Sequence, residues 1–511
     1  MAARFIVQVA SGGTVALNGS TTTNIGSASG GSGGASYPTS ADTLTADSAS
    51  RTGVSGNYTI TVSGTNNWSD FSVSAPSTSG NVTLGGTTTV SLFGSFALYS
   101  AMTLTWNGTA SFVATATGKT INFAGKNIND LTITFAGVGG GWTLAGDIIG
   151  TNGGINLTNG ALDTSSSNYA LTQTTGVIDL TGALARSLTL NNSTITCDRW
   201  RIATATNLTF NAGTSSISIT GTTSDGHGGL AYYDVTLASF AGVTATNSVT
   251  IASGESFHNL TITGGGVTTG TAFLGVGANV TISGTFTANG TNATTRYIIY
   301  STTPGTQRTI TANAVSISNC DFQDIIGAGA ATWSGTSLAN GGNNSGITFT
   351  TPVTRYLISV GTDVSWGTTA NIWSTSSGGS GGASVPLIHD TAVIDTNSFN
   401  ADGRTLTIDR NVGTVDFSLL ARPLTVNITI QNRAIFGAWT GNTSITHSTT
   451  VTLQYRAVGG SYAFDNKSLR ITTAGMTVVN ALTKWAATGG GGGGGGGGSV
   501  IGSSIIKAVV Q

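Results

Sequence analysis

The sequence predicts an all-β protein in which a central parallel β-helix (a solenoid) is flanked by two related small β-modules. Three observations carry that prediction. A four-residue phrase with alternating apolar positions recurs along the chain, helix-favouring Glu and Lys are scarce, and one ten-residue block occurs twice. An apolar period of two places successive side chains on opposite faces of a strand, so each phrase marks a half-buried strand and not a helix. Of the 20 acidic residues only Glu255 is a glutamate, and there are five lysines. Asp, Asn and the 75 glycines favour turns between short strands instead.

The same composition excludes several classes. Charged residues make up 8% of the 511-residue chain, against about 25% in ordinary soluble domains. With 39% hydrophobic residues the chain is too apolar to be disordered. A net charge of -1 without any block of like charge argues against nucleic-acid binding. The longest apolar runs fall short of a membrane span, and Met1 to Ala10 lacks a signal-peptide core. Synthesis in a cytoplasm followed by release on lysis is therefore expected.

Residues 1–85 are read as the first β-module. Ser29 to Pro38 (SGGSGGASYP) matches Ser377 to Pro386 (SGGSGGASVP) at nine of ten positions. The match extends outward, from Arg4-Phe5-Ile6 against Arg355-Tyr356-Leu357 to Asp42 and Asp47 against Asp390 and Asp395. Tyr58 to Val62 and Thr405 to Asp409 then open alternating segments in the two copies.

Residues 86–350 are read as the β-helical shaft. The phrase occurs, from just before this boundary, at Asn81 to Leu84, Asp130 to Ile133, Ser187 to Leu190, Asn207 to Phe210, Asp234 to Leu237, Ser248 to Ile251, Asn259 to Ile262 and Asn279 to Ile282. Spacings of 20, with others of 11, 14 and 27, suit coils of short strands joined by turns of variable length. Asn-Gly and Asp-Gly pairs such as Asn107-Gly108, Asn159-Gly160 and Asp225-Gly226 keep an antiparallel sandwich open as an alternative.

Residues 351–485 form the second module, and residues 486–511 a polyglycine and apolar tail. The ten glycines Gly489 to Gly498 read as a flexible linker, or alternatively as an extended strand packed between subunits. Cys197 and Cys320 read as two buried free thiols, with a disulfide as the alternative.

Candidate chemistry is sparse. His227, His258, His389 and His447 sit in no metal-ligand spacing and read as surface or turn residues. The densest polar cluster runs through Asp225, His227, Tyr232, Tyr233 and Asp234, with Glu255 about one coil later, so two carboxylates could meet as in a polysaccharide-cleaving spike. Aspartates are common at β-helix turns, and a structural role is favoured. Trp106, Trp142, Trp200, Trp333, Trp366, Trp373, Trp439 and Trp485 offer either sugar-stacking faces or core packing. Asp390 and Asp395 lack the dense oxygen spacing of a calcium loop and read as turn caps. No catalytic, cofactor-binding or metal-binding residue is assigned, and no cofactor is implied.

Trp373 to Asp395 (WSTSSGGSGGASVPLIHDTAVID), followed by Asn397-Ser398-Phe399, resembles a motif of tailed-bacteriophage virion structural proteins. Asn319 to Phe349 (NCDFQDIIGAGAATWSGTSLANGGNNSGITF) resembles a second motif of the same proteins. The resemblance implies a tail fibre or spike used in host adsorption, assembled as a homotrimer and located in the virion. It also implies attachment to other virion proteins through the N-terminal module and contact with a host glycan or receptor. A head fibre or decoration protein is the alternative, with a depolymerising spike or surface adhesin as a third.

Overall fold

The computed structural model describes residues 2–420 apart from 11, 51–55, 76–79, 222–224, 239–247, 265–271, 304, 359–360, 368, 411 and 418, and beyond 420 the backbone of further strands. Among the described residues every regular element is a β-strand. The chain is a parallel β-solenoid divided into two compact units, Met1–Ala238 with Glu255–His258, and Ser239–Gly254 with Asn259–Gln511.

In the first unit, the coils up to Trp106 contribute short strands to three sheets and the later coils to two, and equivalent strands stack in parallel register. One interior ladder runs Leu44, Phe71, Phe96, Ile121, Leu144. A second runs Val15, Ile60, Leu84, Leu104. The third runs Val90, Ala110, Ile133, Ile155, Ile178, Trp200. All of these side chains are buried, and each residue of Leu or Phe size contributes about 1.5–3 kcal/mol by leaving water. Aromatic rings also fill the interior: Phe112 stacks on Phe135 at 5.3 Å, and the Trp142 ring lies tilted against Phe135 at the same distance. The first ladder crosses residue 85 without a break, so the first repeat is the opening of the coil stack and not a body beside it.

The second unit repeats this logic with the ladder Val249, Leu274, Ile299, Phe322. Its strands Tyr297–Ser301 and Cys320–Gln323 are buried at every position. The second repeat covers the outer face of Tyr297–Ser301: Leu387 and Ile388 pack against Ile298, Tyr300 and Ala339. Arg410 fastens the same contact by donating to the Thr294 carbonyl at 2.9 Å.

The two repeats share their hydrogen bonding as well as their sequence. Ala3–Ile6 pairs in parallel with Thr43–Ala46 and antiparallel with Ile25–Gly26. Thr354–Leu357 does the same with Thr391–Val393 and Trp373–Ser374. Arg4 donates to Ser36 Oγ, and Arg355 to Ser384 Oγ. Asp42 accepts the backbone N–H groups of Ala2 and Thr39, and Asp390 those of Val353 and Leu387. Both aspartates are thus turn caps, satisfying donors that the strand ladders leave over.

Candidate functional site

A groove of about 650 Å³ opens on the outer face of the first unit, between two projecting turns. Val138 tips one turn and Leu184 the other, 68% and 56% exposed. Two of the four exposed large apolar side chains among the described residues therefore flank one groove. Its floor is the outward column Ala161, Ser187, Thr209, whose small side chains leave the space open.

Local chemistry fixes both walls. The Val138 turn closes with Gly140 N–H donating to Gly137 O at 3.1 Å. A Cβ on Gly140 would lie 2.1 Å from the Ala114 carbonyl oxygen, so only glycine lets the turn sit this close to the coil beneath. The Leu184 turn is held by Arg186, whose guanidinium donates to the carbonyls of Leu180, Leu184, Thr206 and Thr204 at 2.6, 3.2, 2.9 and 2.6 Å. Asn207 adds a bond from Nδ2 to the Ala183 carbonyl at 2.9 Å. Burial draws the Arg186 pKa below its ordinary value, against the pull of Asp179. Its charge is spent on backbone oxygens and is only 3% exposed, so the groove is nearly uncharged.

Such a surface can bind an uncharged ligand or chain segment by shape, apolar contact and the hydroxyl and amide groups of Ser187, Thr209 and Asn207. No carboxylate, histidine or cysteine lines it. Sequence reasoning does not single out Arg186. The available signal is that it is the lone charge between Asp179 and Asp198, inside an alternating apolar stretch.

The polar cluster of Asp225, His227, Tyr232, Tyr233, Asp234 and Glu255 is split by the fold. Glu255 has no exposed surface, and His227 and Tyr232 are 3% and 5% exposed. Glu255 therefore cannot reach a polysaccharide, which removes it from any surface pair of carboxylates. The side chain of Asp225 lies outside the described residues. Tyr233 and Asp234 remain at the surface, joined by His258, which stacks on Tyr233 at 4.2 Å and lies 3.1 Å from Asp234.

The histidine expectation holds for His389, which is buried but lies in the turn closed by Asp390 N–H donating to the Leu387 carbonyl. It needs correction for His227, which is buried at the end of the strand Asp225–His227, where another segment folds over it. His389 Nδ1 accepts the Asn340 N–H at 3.2 Å, and Nε2 faces Thr350 Oγ1 at 3.4 Å. The His447 side chain lies outside the described residues. Both cysteines are free and buried, and burial pushes the Cys320 thiol up to about 12.

Trp106, Trp142, Trp200, Trp333, Trp366 and Trp373 are all buried. Their rings pack in the interior, where a sugar cannot meet them. The side chains of Trp439 and Trp485 lie outside the described residues. Among the described residues no group of three or more His, Cys, Asp or Glu side chains converges as a metal site would require.

No family model, no curated protein and no solved structure matches the chain.

Proposed function

We propose that this chain is a structural component of a bacteriophage virion, a tail fibre or spike that takes part in host adsorption and assembles as a homotrimer. The observation that carries the reading is the unbroken interior ladder from Val90 to Trp200, built from short coils under a nearly uncharged outer surface. A stack of this kind gives stiffness by repetition and needs no catalytic centre. The absence of acid, base or nucleophile pairs from the groove lining is consistent with binding. The two phage-like motifs in the sequence supply the association with virions.

Immunogold labelling of particles from the phage that encodes the chain tests this directly. Gold on the tail is expected. Gold on the capsid would move the chain to a head fibre or decoration protein, and unlabelled particles would remove it from the virion altogether.

On this reading the groove between Val138 and Leu184 receives an uncharged ligand of the host surface. Replacing both walls, as Val138→Asp with Leu184→Asp, is expected to slow adsorption about tenfold, the effect of losing about 1.4 kcal/mol. Particle yield should be unchanged. Normal adsorption by intact particles carrying both substitutions would take the groove out of the host contact.

A further inference from the structure

The segment Glu255–His258 belongs to the first unit although the residues on either side of it do not. Specific contacts seat it there. Ser256 N–H donates to the Leu230 carbonyl at 3.1 Å. The Phe257 ring stacks on Tyr232 at 5.6 Å, and the His258 ring on Tyr233 at 4.2 Å. His258 Nδ1 lies 3.1 Å from Asp234 Oδ1. Glu255, fully buried, lies close enough to His227 for their charges to interact.

His227 is the unusual member of this seat. It is 3% exposed, and its Nδ1 has no hydrogen-bond partner. A neutral imidazole tolerates such a site. An imidazolium would bring an unpartnered N–H and a charge into a buried site where the Tyr232 ring meets it edge-on at 6.2 Å. Among groups that could answer that charge, Tyr232 Oη donates to the His227 carbonyl at 2.7 Å and accepts from Trp200 Nε1 at 3.2 Å. Asp198, Arg199 and Arg201, on the neighbouring strand Thr194–Ile202, occupy partly or fully exposed positions. Among the described residues, Glu255 is the carboxylate whose charge acts on the ring.

We propose that Glu255–His258 is an acid-releasable clasp and that buried His227 is its proton sensor. Burial lowers the His227 pKa below the ordinary 6.5, and the opposing pull of Glu255 is the smaller influence. The unseated form therefore binds more protons in the window just below pH 6.5. The seat is fully held above that pH and loosens as pH falls toward the seated value. The other ionisable contact of the seat, His258–Asp234, is about two-fifths exposed on both sides, at 40% and 38%. Solvent screening keeps that contact weak, so the buried site decides the direction.

Hydrogen–deuterium exchange of the full chain tests the clasp, with measurements about one unit either side of an ordinary imidazole pKa and correction for intrinsic rates. Amides of residues 230–235 and 255–258 are expected to lose protection by up to about tenfold on the acid side, the limit reached when only the unseated imidazole takes up the proton. Amides of Thr109–Phe112 and Thr132–Phe135 should not change. His227→Gln should equalise protection on the two sides, and His258→Gln should keep the loss. Equal protection in the unsubstituted chain, or a loss that survives His227→Gln, would overturn the proposal. Should His227→Gln fail to fold, the other variant still decides, because a loss abolished by His258→Gln would place the sensor on the surface.

Discussion

At the scale of single residues, Asp42 and Asp390 show how burial changes a side chain that keeps its sequence position and its bonds. Hydrogen bonds, that from the Ala2 N–H first, hold the Asp42 carboxyl below the ordinary 3.8. Desolvation raises Asp390 above 3.8 even though it caps the same turn. Above Asp42 stand only the exposed Thr39, Ser40 and Ala41, whereas Ile388 and His389 at the matching places are buried against the coils. The two carboxylates should therefore affect stability with opposite signs. The Asp42 contribution is complete above pH 3.8 and is lost as pH falls through its folded value. For Asp390 the folded state holds its proton longer, so stability falls as pH rises from 3.8 through the folded value. Carboxyl-carbon NMR titration should find Asp42 below and Asp390 above an unstructured aspartate. Equal values would mean that the cover over Asp390 is not what shifts it.

At the scale of strands, the recurring phrases behave as their alternation predicts, with one instructive exception. Both apolar residues are buried in every phrase except Asn207 to Phe210, as with Val82 and Leu84, Leu188 and Leu190, and Val280 and Ile282. Leu208 and Phe210 are only partly covered because Leu208–Asn211 is the edge strand of its sheet. The pattern sets which way a side chain points, but an interior position also needs a coil on each side. Phe135, stacked between Phe112 and Leu157, has both. Phe135→Ala should cost about 3–5 kcal/mol by leaving a cavity in a stack that cannot collapse, and Leu208→Ala less than about 1 kcal/mol. Urea denaturation would compare them, and similar midpoints for the two variants would contradict the ladder argument.

At the scale of the whole chain, low charge and a polar Thr/Ser exterior leave few electrostatic means of controlling association. Association then depends on shape and on apolar contacts such as the rims of the groove. The glycine run Gly489 to Gly498 and the apolar segment after it lie outside the described residues. Read as a linker and tail, Gly489 to Gln511 should be removable without changing the oligomeric state measured by light scattering. A change in subunit number on truncation would instead support packing of that segment between subunits.

The solenoid was legible because its interior is specified locally. Alternation selects the inward side chains, turn residues set the coil corners, and the near-identical Ser29 to Pro38 and Ser377 to Pro386 blocks predict one hydrogen-bonding pattern used twice. Alternation is silent about what lies over an outward side chain, since that is decided by segments distant in sequence. Only the tertiary structure placed Leu387 and Ile388 over the strand Tyr297–Ser301 and His389 against Asn340 and Thr350, folded Glu255 in beside His227, and turned Arg186 inward to brace a groove wall. In each case a polar or charged residue keeps an ordinary local sequence, and its role comes from the dielectric and the hydrogen-bond partners that a remote segment brings to it.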